Sequence, residues 1–266
     1  MAVRNATGRE LTPPKWVFVV GCYNSGTELL TELLGQHLQL QALPREGVEL
    51  TDRLPRPEQF GWPRFWLRCA DALTVSSDDV ASAARIKRQW SHSVKRELAV
   101  VEKSPPNLLR LEFLQRQFSP AYFVYIVRNG FAVAEGIRRK ARPREWGNRE
   151  LDSYPIELCA RQWADADARL QCARGFVNHL HTVSYEELTA SPLLELNQIA
   201  AFLELSPFDA SSVEGPVDVH RQKSVIANQN PASFDRLGTS DVAAIRAAAS
   251  ETLNRYAYSH PLEGLS

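Results

Sequence analysis

Residues 15–34 read KWVFVVGCYNSGTELLTELL. Trp16 to Val20 is an apolar run rich in β-branched residues, the pattern of a buried strand. A sharp turn follows through Gly21-Cys22-Tyr23-Asn24-Ser25-Gly26-Thr27, and then leucines recur at helical spacing at positions 29, 30, 33 and 34. A buried strand, a glycine-bounded loop and an amphipathic helix is the sequence form of a phosphate-binding loop. Glycines let several backbone N–H groups converge on one spot, and the helix N-terminus behind them favours an anion. A tight turn that merely opens a helix has the same form.

The flanking sequence supplies the rest of an α/β pattern. Residues 1–14 form a polar leader ending in Pro13-Pro14, and the domain proper is expected over 15–260. Gln39 to Leu43 suits a short second strand. Pro44 to Trp66 is rich in proline and aromatic residues and suits a substrate-side excursion or an ordinary packed surface loop. A basic helix is expected over 82–97, a short strand over 98–101, and a helix over 107–118 capped by Asn107. Tyr122 to Val127 is the clearest strand, a continuous apolar run of the kind found in parallel sheets covered on both faces. Helices are expected from Gly130 through about Lys140, over 156–177 with Trp163 as a core residue, over 192–203 and over 240–256. A further strand suits 179–183, and 142–154 and 207–236 read as irregular. Strands alternating with helices predict one three-layer α/β domain with a mainly parallel sheet. In such sheets ligands sit beyond the carboxyl ends of the strands. The loop after Val20, Lys103 and Arg128 would therefore meet at one edge.

Composition narrows the function. The 31 basic and 31 acidic residues cancel, which gives no support for general binding to nucleic acid or membrane surfaces, so any anion site must be local. The four cysteines, Cys22, Cys69, Cys159 and Cys172, have no zinc-ligand spacing and read as reduced thiols. No run approaches the roughly 20 apolar residues of a membrane span. The first residues lack the apolar core of a signal peptide. A cytoplasmic enzyme or binding protein is the default expectation.

A nucleoside triphosphatase needs G-x-x-x-x-G-K-[ST]. Gly21 and Gly26 are correctly separated, but Thr27 stands where the lysine belongs, and Glu28 follows it. An acid there would repel a terminal phosphate, which weakens the alternative of a P-loop kinase or nucleotidase.

Four motifs in order, Gly21–Thr27, Glu102-Lys103-Ser104-Pro105, Val127-Arg128-Asn129-Gly130 and Ser184-Tyr185-Glu186-Glu187-Leu188, resemble those of the sulfotransferases. Those enzymes use 3′-phosphoadenosine 5′-phosphosulfate (PAPS). The likeness is greatest to the Golgi carbohydrate and protein-tyrosine branches and their bacterial relatives, and spans about residues 16–258. It implies a P-loop-like α/β fold and transfer of a sulfuryl group to a hydroxyl acceptor, a carbohydrate, a phenol or another small molecule, without a metal. The donor site would comprise Cys22, Tyr23, Asn24, Ser25, Gly26, Thr27 and Glu28, with Ser25 to Thr27 on the 5′-phosphosulfate. Arg128 would hold the 3′-phosphate, and Arg221, Lys223 and Ser224 would belong to a late segment closing over the nucleotide. Glu46 falls at the spacing of the family's general base, with Glu49 in reserve, and Lys103 would neutralise charge in the transition state. Two positions depart from the family. Asn24 replaces a Lys or Arg, and Gly136 replaces a Ser that follows the 3′-phosphate arginine. A non-catalytic relative that binds the nucleotide is the alternative these departures leave open.

Overall fold

A computed structural model of the chain describes residues 7–95, 98–219 and 222–264. Five parallel strands form the central sheet: β1 (Trp16–Val20), β2 (Leu40–Ala42), β3 (Ala99–Lys103), β4 (Ala121–Val127) and β5 (Leu180–Ser184), in the spatial order β2-β3-β1-β4-β5. β1 lies at the centre, with Trp16 opposite Val100 on one side and Ala121 on the other. The order reverses around β1, and the loop leaving it opens at that switch point, where open α/β sheets bind ligands.

Every residue of β1 and β4 is buried, because both faces of the sheet are covered. Trp16, Phe18 and Val20 point into one core with Phe123, Tyr125 and Val127. That core is closed by helices Gly130–Ala141, Ile156–Ala173 and Thr239–Arg255, which contribute Phe131, Trp163 and Ile245. Val17 and Val19 point the other way, into a leucine-rich core with Leu30, Leu34, Leu188 and Ile199 from helices Thr27–Leu34, Tyr185–Ala190 and Pro192–Phe202. Alternating side chains of one strand thus supply two cores, and the chain forms three layers.

Several local expectations are corrected. Helix Val80–Ser91 starts earlier than read, because the Asp79 carboxylate accepts a hydrogen bond from the Ser82 N–H. β3 extends through Glu102 and Lys103. Asn107 does not cap a helix. It sits inside a 3-10 turn, Pro105–Leu109, and the helix begins at Leu111. The region read as irregular contains an antiparallel hairpin, Val217–Val219 with Gln222–Ser224, and a short helix, Asn230–Phe234. Among the described residues no helix is long and apolar enough to cross a membrane.

Candidate active site

A cleft of about 730 Å³ opens at the carboxyl edge of the sheet. That is the usual size for a cofactor or small-molecule site. Its floor is the loop after β1. Gly26 has a positive φ of 99°, and a Cβ there would meet the Tyr185 ring at 2.6 Å. Only glycine permits both the turn and the close approach. No side chain caps the following helix, Thr27–Leu34, so its first N–H groups face the cleft without a side-chain partner.

Four polar atoms at this floor are buried without a hydrogen-bond partner among the described residues: Asn24 Oδ1 and Nδ2, Ser25 Oγ and Arg128 Nη2. Buried polar groups in native proteins are almost always paired, so each such group calls for an explanation. Three of them, Asn24 Nδ2, Ser25 Oγ and Arg128 Nη2, can donate to the acceptor oxygens of a ligand, and Asn24 Oδ1 can accept. The guanidinium of Arg128 is held by neutral partners. Its Nε donates to Asn230 Oδ1 at 2.7 Å, its Nη1 donates to the Asn24 carbonyl at 3.0 Å, and its plane lies 4.3 Å over Tyr185. Burial disfavours its charge, and among the described residues no carboxylate pairs with it directly. Glu186 completes the support by accepting from Asn230 Nδ2 at 2.6 Å, the Asn129 N–H at 2.9 Å and the Tyr258 hydroxyl at 3.0 Å. The Ser-Tyr-Glu-Glu-Leu motif is thereby explained. Ser184 caps helix Tyr185–Ala190, Tyr185 lies under the arginine, and Glu186 fixes the asparagine that aims it.

Three further ionisable groups, Glu28, Glu46 and Lys103, line the same cleft. Lys103 Nζ donates to Glu28 at 2.5 Å and to Glu46 at 2.9 Å. Burial alone would lower the Lys103 pKa, but Glu46 and Glu28 hold it above its ordinary value. Burial raises the Glu46 carboxyl above its ordinary range, and Lys103 offsets part of that rise. The reserve candidate, Glu49, pairs with Arg56 at 3.1 Å.

Glu102 belongs to the second motif, but the sequence gives it no role of its own. It is fully buried on β3, one residue before Lys103 and on the opposite face of the sheet. Its carboxylate accepts from the Gly47 N–H at 2.9 Å and from Ser104 Oγ and Asn107 Nδ2, both at 2.5 Å. The neighbouring Val48 N–H donates to Ser104 Oγ at 3.3 Å, and the Gly47 carbonyl accepts from Trp90 Nε1 at 3.0 Å. The peptide that follows Glu46 is therefore clamped on both sides. Desolvation raises the Glu102 pKa to about 7.

The excursion over 44–66 is a packed wall. Phe65 and Trp66 are fully buried, Trp66 Nε1 donates to Asp165 at 2.7 Å, and Gln162 Nε2 donates to the Arg64 carbonyl at 2.6 Å.

The structure brings Tyr23, Asn24, Gly26, Thr27, Glu28, Glu46, Lys103, Arg128 and Gly136 to this cleft. Ser25 lies beneath it. Cys22 does not join them, since its thiol is buried in the core beneath the loop, where desolvation pushes its pKa well up. Lys223 is exposed in the hairpin away from the lining, and Ser224 ends that strand, whereas Val225, Ile226 and Ala227 just beyond it reach the cleft. Arg221 lies outside the described residues. The two departures at Asn24 and Gly136 are in contact. A Cβ at position 136 would meet Asn24 Cβ and Cγ at 3.0 Å.

The sequence profile of the Sulfotransferase family matches residues 14–210. The chain belongs to the sulfotransferase family. No curated protein matches it by sequence. Solved structures similar to it include the sulfotransferase domain of the curacin biosynthetic pathway, at 19% identity and a TM-score of 0.55, covering 94% of this chain and 100% of that one. The sulfotransferase domain of the Synechococcus PCC 7002 olefin synthase matches at 20% identity and a TM-score of 0.55, covering 94% and 97%. A Mycobacterium tuberculosis H37Rv sulfotransferase matches at 17% identity and a TM-score of 0.60, covering 90% and 77%. These similarities show that the five-stranded α/β architecture is the sulfotransferase fold.

Proposed function

We propose that this sulfotransferase uses PAPS as its donor and a hydroxyl compound as its acceptor, with Glu46 as the general base. The observation that carries this reading is the set of unpartnered buried atoms at the loop floor, Asn24 Oδ1 and Nδ2, Ser25 Oγ and Arg128 Nη2, with the Glu28–Lys103–Glu46 cluster on the same cleft. The donors among them, Asn24 Nδ2, Ser25 Oγ and Arg128 Nη2, suit a nucleotide with two anionic ends. Ser25, Thr27 and the open helix N-terminus would take the 5′ end, and Arg128 the 3′-phosphate. Bound there, PAPS supplies the sulfuryl group that passes to the acceptor oxygen, with 3′-phosphoadenosine 5′-phosphate (PAP) as the leaving group.

The protein's own part follows from its residues. Glu46 removes the acceptor proton as the oxygen becomes nucleophilic. Its raised pKa brings it closer to neutral pH, where a base is most effective. Lys103 keeps that carboxylate ionised before the reaction. Once Glu46 is protonated the pair weakens, and an ammonium held by Glu28 alone can turn a proton toward charge developing in the cleft. Asn24 contributes hydrogen bonds and no charge.

Isothermal calorimetry with PAP tests the donor site. Absence of binding by the wild type, or unchanged binding by Arg128→Ala, would overturn the reading. A non-catalytic binder is separated from an enzyme by transfer of radiolabelled sulfate across a broad acceptor panel, and loss of that transfer in Glu46→Gln assigns the base.

A further inference from the structure

The charges lining the cleft do not balance. Lys103 is shared by Glu28 and Glu46, and Arg56 pairs with Glu49. Arg139 and Arg236 both pair with Glu135. Glu58 accepts the Arg64 backbone N–H at 3.2 Å. Besides Arg128, two cations on the lining remain without a carboxylate at ion-pair distance among the described residues. They are the Arg64 guanidinium and the Lys140 ammonium.

Both line the cleft, close enough for their charges to interact. Arg64 lies over the Tyr23 ring at 5.9 Å. Its backbone has a positive φ of 57°, unusual for a non-glycine residue. The turn is held on both sides, by Glu58 at its N–H and by Gln162 at its carbonyl. Strain that neighbours hold in place in this way clusters at binding sites. Lys140 extends from the end of helix Gly130–Ala141 to the same cleft, with Trp146 also on the lining. Burial, Arg64, Arg139 and Arg128 all disfavour its charge and pull its pKa down to about 8. Two like charges facing one cleft oppose each other until an anion lies between them.

We propose that Arg64 and Lys140 form an acceptor-anchoring site, so that the acceptor is an anionic hydroxyl compound bearing a carboxylate, phosphate or sulfate group. The inference rests on the donor and base assignments above. Arg128 and the β1 loop take the nucleotide, Glu46 takes the proton, and the anion on the Arg64–Lys140 pair orients the hydroxyl between them. The exposed ring of Trp146 on the lining suits a ring that links anion and hydroxyl.

The test uses the full chain and matched pairs: glucose against glucuronate, phenol against 4-hydroxybenzoate, and glycerol against glycerol 3-phosphate. PAP affinity is measured first, and failure of the wild type to bind PAP overturns the donor assignment and this inference with it. With PAP binding established, the anionic member of a pair is expected to show the higher kcat/KM. Arg64→Gln with Lys140→Gln should lower that preference by about 10- to 100-fold, the range for losing a charge-assisted bond, while PAP affinity stays within about twofold by the same reasoning. Where no pair is turned over, titration of the PAP-saturated enzyme with the same six compounds reads the preference as binding. Neutral members that match or exceed their anionic twins overturn the proposal. So does a preference unchanged in the double variant. A tenfold loss of PAP affinity with the preference intact also overturns it and assigns both cations to the donor.

Discussion

Glu102 is subject to two opposed effects, and the pH dependence of stability shows which one prevails. Burial favours the neutral acid, while hydrogen bonds from Gly47, Ser104 and Asn107 favour the carboxylate. Desolvation prevails, and the pKa rises from 4.5 to about 7. In the unfolded chain the group ionises near its ordinary value. Between these two values the folded state therefore holds a proton that the unfolded state has lost, and stability falls as pH rises through the window. At about 1.36 kcal/mol per pH unit the full loss is roughly 3 kcal/mol, of which about 2.5 kcal/mol falls between pH 5 and pH 8.5. Glu102→Gln keeps the shape and cannot ionise. The melting temperature of the variant, measured against wild type, should therefore improve by about 5–10 °C on going from pH 5 to pH 8.5, at roughly 2–4 °C per kcal/mol for a chain of this size. Melts followed by circular dichroism at both pH values check this. A difference between variant and wild type that does not change with pH would refute the argument. A variant that loses ground at high pH would reverse it, because the three donors would then be stabilising the anion.

Glu46→Gln should lower kcat by about 10²- to 10⁴-fold, the usual contribution of a general base, and leave PAP affinity in calorimetry intact. In the wild type the acidic limb of the kcat/KM profile should fall above the ordinary carboxylate value, because burial raises the Glu46 pKa. Arg128→Ala should weaken PAP binding by about 10- to 100-fold, the loss of one or two charge-assisted hydrogen bonds, measured by the same titration. Gly136→Ser places a Cβ 3.0 Å from Asn24 and should cost about 1–3 kcal/mol of stability by overpacking. Adding Asn24→Gly, which the positive φ at position 24 tolerates, should return most of that cost in urea unfolding. Strictly additive effects would show that the two positions do not communicate.

The parts legible in the sequence were those whose chemistry and local pattern agree. The all-apolar runs of β1 and β4 required a sheet covered on both faces, and the two cores meet that requirement. Glycines at 21 and 26 required a loop that brings backbone to the cleft. Arg128 was legible because a charged residue directly after an apolar run marks the carboxyl edge of a sheet, and Lys103 because it follows such a run one residue later. The same rule hid Glu102. An acid after Val100 and Val101 looks like the end of a strand, so β3 was read two residues short. Its partner Gly47, and the Trp90 indole that holds the Gly47 carbonyl, lie far away in the sequence, and local pattern carries no trace of them. The roles of Glu186, Asn230 and Arg64 were hidden for the same reason. Each owes its place to a contact made only in the folded chain.

The departures at Asn24 and Gly136 show what this non-local information changes. Read along the chain they are two separate losses, a cation from the loop and a hydroxyl from the helix. In the fold they are one arrangement, because the space at position 136 is the space that the Asn24 carboxamide packs against. A larger residue at 136 would displace that carboxamide. Both polar atoms of Asn24 are buried and unpartnered there, beside the Arg128 guanidinium that bonds the Asn24 carbonyl. Where the resemblance implies a cation, the loop holds a fixed pair of hydrogen-bonding atoms. The cleft's surplus positive charge lies instead at Arg128, Arg64 and Lys140. Such a site would discriminate less by attraction to the 5′ end of the donor. It would discriminate more by how well donor and acceptor together neutralise these three cations, which is where the Arg64 and Lys140 variants should have their effect.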